Sequence, residues 1–179
     1  MSQEIAVEKE NIGLPDEDTM SEEYGLVENP DYVDARGWDL EGYERLLEEE
    51  CEIVEWAESG GDLGSQAAYD QFEGWEAWCT GIDPGLICTV MALSVVGCCP
   101  FTSCIGGQSH SESHPVVGFW CTQEVWPLIK ASAAATGCSL RGCDSPGIIL
   151  YHEQDWRPLR AFGAELIERW KLGSLQITD

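Results

Sequence analysis

The stretch VVGFWCTQEVWPLIKASAAATG, residues 116–137, decides the fold, because its pattern returns as GIILYHEQDWRPLRAFGAELIERWK, residues 147–171. Gln123 matches Gln154, Glu124 matches Asp155, Pro127 matches Pro158 and Leu128 matches Leu159, all at an offset of 31 residues. In each copy an apolar run of strand character, 116–121 or 147–152, leads into a helical pattern. The prolines fit if Glu124 and Asp155 are N-caps. Pro127 and Pro158 then hold the third helical position, where no carbonyl four residues back needs a donor. Ahead of each copy lies another strand-like segment, 98–104 and 138–142, the latter joined onward by the turn CDSPG at 143–147. The order ββα-ββα predicts an α+β domain with one four-stranded antiparallel sheet, a circular shift of the ferredoxin-like βαββαβ order.

Outward from the repeat, the chain turns helical. Residues 84–96, PGLICTVMALSVV, are almost wholly apolar, and Asp83 before Pro84 reads as a cap with proline at the first helical position. They are read as a helix buried on most sides, although such a run also suits a strand. Across 39–58, Leu40, Tyr43, Leu47, Cys51 and Val54 recur at helical steps, widened by Leu46, Ile53 and Ala57. A further helix is expected over 65–79, burying Ala68, Phe72, Trp75 and Cys79, with Gly74 as its weak point. These three helices are expected to form an N-terminal layer over the open face of the sheet, carrying acid outward. Residues 1–36 read as an acidic tail or arm and 37–179 as a single domain, with 37–97 the helical layer and 98–179 the sheet unit. The last helix buries Trp156, Leu159, Phe162, Leu166 and Trp170.

The 179 residues hold 33 acidic and 9 basic side chains, a net charge of −24. That surface repels DNA, RNA and anionic membranes, so none of them is an expected partner. The acid is concentrated: residues 1–83 carry 25 acids against Lys9, Arg36 and Arg45, whereas 84–179 carry 8 acids and 6 bases. Nine cysteines invite a disulfide reading, but MSQEIAVEKE has neither a basic nor an apolar export region. Reduced, mostly buried thiols in a cytoplasmic protein are expected.

Three candidate sites follow. Glu41, Glu44, Glu48, Glu52 and Glu55 step by three, four, four and three, lining up opposite the apolar stripe with only Arg45 to relieve them. Asp70, Glu73 and Glu76 repeat the pattern. Carboxylates one turn apart imitate nucleic-acid phosphates or meet a basic protein surface; the plainer reading is a solvated face. The second candidate is the loop 102–114, with Thr102, Ser103, Gly106, Gly107, Cys104, His110 and His114. A thiol with a histidine base and glycine N–H groups for an oxyanion is the minimum of thiol catalysis, against the plainer reading of an ordinary connection. Cys98, Cys99, Cys104, His110 and His114 are a weaker third candidate, for zinc: no C-x-x-C pair exists, so no metal or other cofactor is expected. His152 is expected to pack or cap rather than act as a catalytic base, and Arg157, Arg160, Arg169 and Lys171 to answer the acidic half or to lie on a helix C-terminal end, where cations are favoured.

With its apolar helix, PFTSC-x-GG at 100–107 and HPVV at 114–117, the chain resembles an uncharacterised bacterial family over roughly residues 80–165. The resemblance implies no activity and no catalytic residue; it favours a bacterial or phage cytosolic origin. The first functional expectation is a non-enzymatic acidic interaction protein, of inhibitor or immunity type, that engages a basic protein such as a nucleic-acid-binding surface. The competing expectation is a small thiol-dependent enzyme or ligand-binding domain using the 102–114 loop.

Overall fold

The computed structural model describes residues 40–63, 65–107, 111–142 and 147–175; the expected arm at 1–36, His110 and most of the CDSPG turn lie outside them. The first helix of the described residues, α1 (Leu40–Glu58), turns Tyr43, Leu46, Ile53 and Val54 inward, as the helical spacing requires. The helix expected over 65–79 is two: α2 (Gln66–Phe72), whose N-cap Ser65 accepts the Ala68 N–H at 3.2 Å, and α3 (Glu76–Cys79). Gly74 between them has φ +85°, a left-handed conformation that no helix continues through.

Helix α4 (Ile87–Val95) is buried from Ile87 through Ser94, on every side. Its start differs from the expected cap. Gly85 has φ +98° and the Leu86 N–H closes a turn onto the Asp83 carbonyl, so the helix begins three residues after Pro84. The Asp83 carboxylate instead accepts the Ile105 N–H at 2.9 Å.

The strands follow the repeat. β1 (Cys99–Cys104), β2 (Val116–Trp120), β3 (Ser139–Gly142) and β4 (Ile148–Tyr151) form one sheet in the order β1-β2-β4-β3, every neighbouring pair antiparallel. The mixed α+β class and the four-stranded antiparallel sheet are as expected. The second strands of the two copies pair at the centre, with Val117 opposite Leu150 and Phe119 opposite Ile148. Helices α5 (Trp126–Thr136) and α6 (Arg157–Leu175) close the two copies. Pro127 and Pro158 stand second in them, one place earlier than expected. Val125, not Glu124, is the N-cap of α5, while Asp155 does serve α6, accepting the Arg157 N–H at 3.1 Å.

Layering corrects one expectation. Leu46 of α1, Phe72 of α2, Ala77 of α3, Met91 of α4, Ile129 of α5 and Phe162 of α6 join Val117, Phe119, Leu140, Ile148 and Leu150 of the sheet in one core. Successive strand residues face opposite ways, and Trp120 belongs to a separate small cluster with Cys99 and Phe101. All six helices of the described residues therefore stack on one face, and α1–α4 lie there too rather than covering the other face. An all-apolar helix gains most where it is enclosed, and α4 lies between α1 and α6 while also touching β1 and β2. Glycine makes this possible: a Cβ on Gly163 of α6 would stand 2.9 Å from the Cα of Thr89.

Candidate functional site

The acidic helix separates its carboxylates into two populations. In the run Glu48, Glu49, Glu50, the first is exposed, the second accepts the Ala77 N–H at 2.8 Å where α3 begins, and the third is buried with 0 % exposure. Glu50 accepts the N–H groups of Gly85 (2.9 Å), Ile87 (2.7 Å) and Cys88 (3.1 Å) and pairs with Arg160 Nε at 3.4 Å. It is thus the cap of α4, supplied from 35 residues upstream of Gly85, where the helix dipole favours negative charge. Burial pushes its carboxyl above the ordinary range, against the pull of Arg160 and the three N–H groups.

Around it, Tyr43 and Cys88 share a hydrogen bond of 2.8 Å, and Arg160 Nη2 donates to Cys51 Sγ. Burial, with Glu50 nearby, holds the Cys88 thiol protonated, and burial does the same for Tyr43 and Cys98. Sequence reasoning missed the roles of Glu49 and Glu50. A signal existed: Glu50 lies seven residues after Tyr43 and three before Ile53, on the apolar stripe.

The second population faces solvent. Glu41, Glu44, Glu48, Glu52 and Glu55 are all exposed. Glu44 pairs with Lys171 at 3.1 Å, and Arg45, expected to relieve the row, pairs with Glu76 at 2.8 Å instead. Among the described residues no cation lies within ion-pair distance of Glu41, Glu48, Glu52 or Glu55. On α2, Asp70 accepts from Gln66 at 2.7 Å, and Glu73 at its end accepts from the Tyr69 hydroxyl at 3.1 Å. As expected of the basic cluster, Arg157, Arg160 and Lys171 reach α1, through Glu58, Glu50 and Glu44; Arg169 pairs with Glu165 on its own helix.

The 102–114 loop is knitted together. Cys104 is 6 % exposed, and its Sγ accepts the Gly106 N–H at 3.4 Å. The Gly107 N–H goes to the Glu112 carbonyl at 3.0 Å, so both glycine donors expected for an oxyanion are engaged. Thr102 and Ser103 lie within β1, opposite Gly118 and Val117, and Phe101 and Thr102 pack over Gly118 where a Cβ would stand. His114 shares a hydrogen bond of 3.0 Å with Ser113, and its ring lies 5.5 Å from that of Tyr151. Its Nε2 is enclosed without a hydrogen-bond partner among the described residues, and no hydrogen bond there joins it to Cys104. His152 caps, its Nδ1 accepting the Asp155 N–H at 3.1 Å.

Six of the eight cysteines in the described residues are buried; Cys51 is half-buried and Cys79 exposed. Those residues contain no group of three His, Cys, Asp or Glu side chains able to hold a metal ion, and no helix among them is long and apolar enough to cross a membrane. No protein-family model, curated protein or solved structure matches the chain.

Proposed function

We propose that the protein works by binding: it captures a basic protein surface on the carboxylate ridge of α1 and acts in the cytoplasm as an inhibitor or immunity-type partner. One observation carries this reading. Glu41, Glu48, Glu52 and Glu55 stand exposed on a helix anchored from below through Glu50, with no cation within ion-pair distance among the described residues, while the arginines of α6 are paired with other carboxylates. Like charges at helical spacing cost about 0.2–0.5 kcal/mol per pair, so the free protein carries a small strain that a cationic partner relieves. The same row draws such a partner in by long-range attraction. Charged surfaces that read nucleic acid are cationic, which makes a nucleic-acid-binding protein a fitting target.

Thiol chemistry at the 102–114 loop has less support, because Cys104 is buried and the glycine N–H groups beside it are engaged. Affinity capture from host cells at low and moderate salt tests the proposal. The native protein should retain basic proteins that are released by salt and are not retained after Glu48, Glu52 and Glu55 are changed to lysine. Equal retention by both forms would refute it.

A further inference from the structure

Helices α1 and α6 both pack on α4, and side chains join them across a groove: Glu58 to Arg157, Cys51 to Arg160 and Glu44 to Lys171. The pairing order makes the two helices antiparallel. Between them lies an open hollow of about 500 Å³ with an apolar lining of Leu47, Cys51, Val54, Trp156, Ala161 and Ala164. It continues past Trp156 into a further 210 Å³ beside Leu63, Pro84 and Ile105. Ala161 and Ala164 are exposed small residues on an outward face of α6, and Leu172, eleven positions after Ala161 and so on the same face, is 63 % exposed. From Arg157 to Ala164 the groove runs about two helical turns, the length over which apolar side chains at i, i+3 or i+4, and i+7 enter a groove together.

Charge selects the occupant. On the α6 wall, Arg157 is paired with Glu58 and Asp155, and Arg160 with Glu50. On the α1 wall, Glu55 lines the hollow itself, and Glu48 and Glu52 follow the groove one position along the helix from Leu47 and Cys51. The unbalanced charge at the rim is therefore negative. The chain's own residues 1–39, with 12 acids against 2 bases, and a second copy carrying −24 do not offer the positive charge that complements such a rim.

We infer that the groove between α1 and α6 is the docking site for an amphipathic, basic helix of the partner, with apolar side chains filling the hollow and Lys or Arg flanks meeting Glu48, Glu52 and Glu55. The inference rests on the ridge being the capture surface, and it adds that the partner segment is helical with an apolar stripe. The ridge supplies attraction and the groove supplies selectivity, since exposed charge alone distinguishes poorly between one basic segment and another.

Two synthetic lysine–leucine peptides of identical composition test it on the full chain, one with leucines at helical spacing and one with the same leucines scattered, read by fluorescence anisotropy. The native protein should bind the striped peptide at least about tenfold more tightly, the effect of seating one or more apolar anchors. Ala164→Trp and Ala161→Trp, which fill the hollow from an exposed position, should erase that preference. Ala134→Trp, at an exposed position on α5, should leave it intact, with circular dichroism confirming that all three variants fold. Changing Glu48, Glu52 and Glu55 together to glutamine should weaken both peptides. If both peptides bind alike, or the preference survives both groove-filling changes, the groove is not the docking site, while the ridge stands if the glutamine variant loses both. If neither peptide binds the native protein, both ideas fall.

Discussion

Helix α1 and the 102–114 loop both gather polar groups densely, yet they hold them in opposite states. In the loop, Gly106 N–H meets the Cys104 sulfur, Gly107 N–H meets the Glu112 carbonyl and His114 meets Ser113, so most of the chemistry suggested by composition is used in shaping the connection. On α1 the outward carboxylates Glu48, Glu52 and Glu55 have no cation within ion-pair distance among the described residues, while the inward Glu50 takes three N–H groups and Arg160. The difference shows that a binding surface is marked by unmet interactions on a rigid support rather than by the density of polar residues.

The sharpest way to break this comparison lies within α1. Glu50→Ala leaves three helix-terminal N–H groups and a guanidinium without their acceptor, and should cost about 3–5 kcal/mol in urea unfolding. A loss below about 1 kcal/mol, the range of an ordinary surface substitution, would mean that the ridge is not anchored through this residue. Gly106→Ala comes next. At φ +78° its new Cβ would stand 2.4 Å from the His114 carbonyl carbon, so a loss of about 1–3 kcal/mol is expected. An unchanged urea midpoint would show the loop to be looser than its hydrogen bonds imply.

Acidity gives a third, smaller contrast. Because burial raises the Glu50 carboxyl above the ordinary 4.5, the folded protein takes up this proton at a higher pH than the unfolded chain. Its contribution to stability is complete below the ordinary value and is lost as pH rises through the folded one. Urea midpoints of the native protein should therefore fall more steeply with rising pH in that window than those of Glu50→Gln, and parallel curves would contradict the assignment. Smallest of all, Glu48→Gln or Glu52→Gln should change stability by no more than about 0.5 kcal/mol, toward stabilisation, because each removes like-charge repulsion from a solvated row. Iodoacetamide completes the set: exposed Cys79 should label ahead of buried Cys104, and the reverse order would return attention to the loop.

What could be read beforehand follows the range of the forces involved. The repeat at 116–137 and 147–171 placed β2 and β4, and the strand-like segments 98–104 and 138–142 ahead of its two copies placed β1 and β3, because alternation and apolar runs are local signals of a sheet. The exposure of Glu41, Glu44, Glu48, Glu52 and Glu55 likewise follows from helical spacing. The start of α4 was not legible, since local rules point to Asp83 whereas the acceptor arrives from Glu50 on another helix. Nor was the stacking order: an apolar run such as 84–96 states that it is enclosed without saying by what. Composition counted the donors of the 102–114 loop, but their partners, the Cys104 sulfur and the Glu112 carbonyl, are set by how the loop closes.

The most direct test is the salt dependence of affinity for a captured partner, measured by titration calorimetry with the native protein and with Glu48, Glu52 and Glu55 changed together to glutamine. The expected result is at least about tenfold weaker binding by the variant, with a flatter dependence on salt because fewer charges face the partner. An affinity and a salt dependence unchanged by removing all three carboxylates would contradict the claim that this ridge is the working surface of the protein.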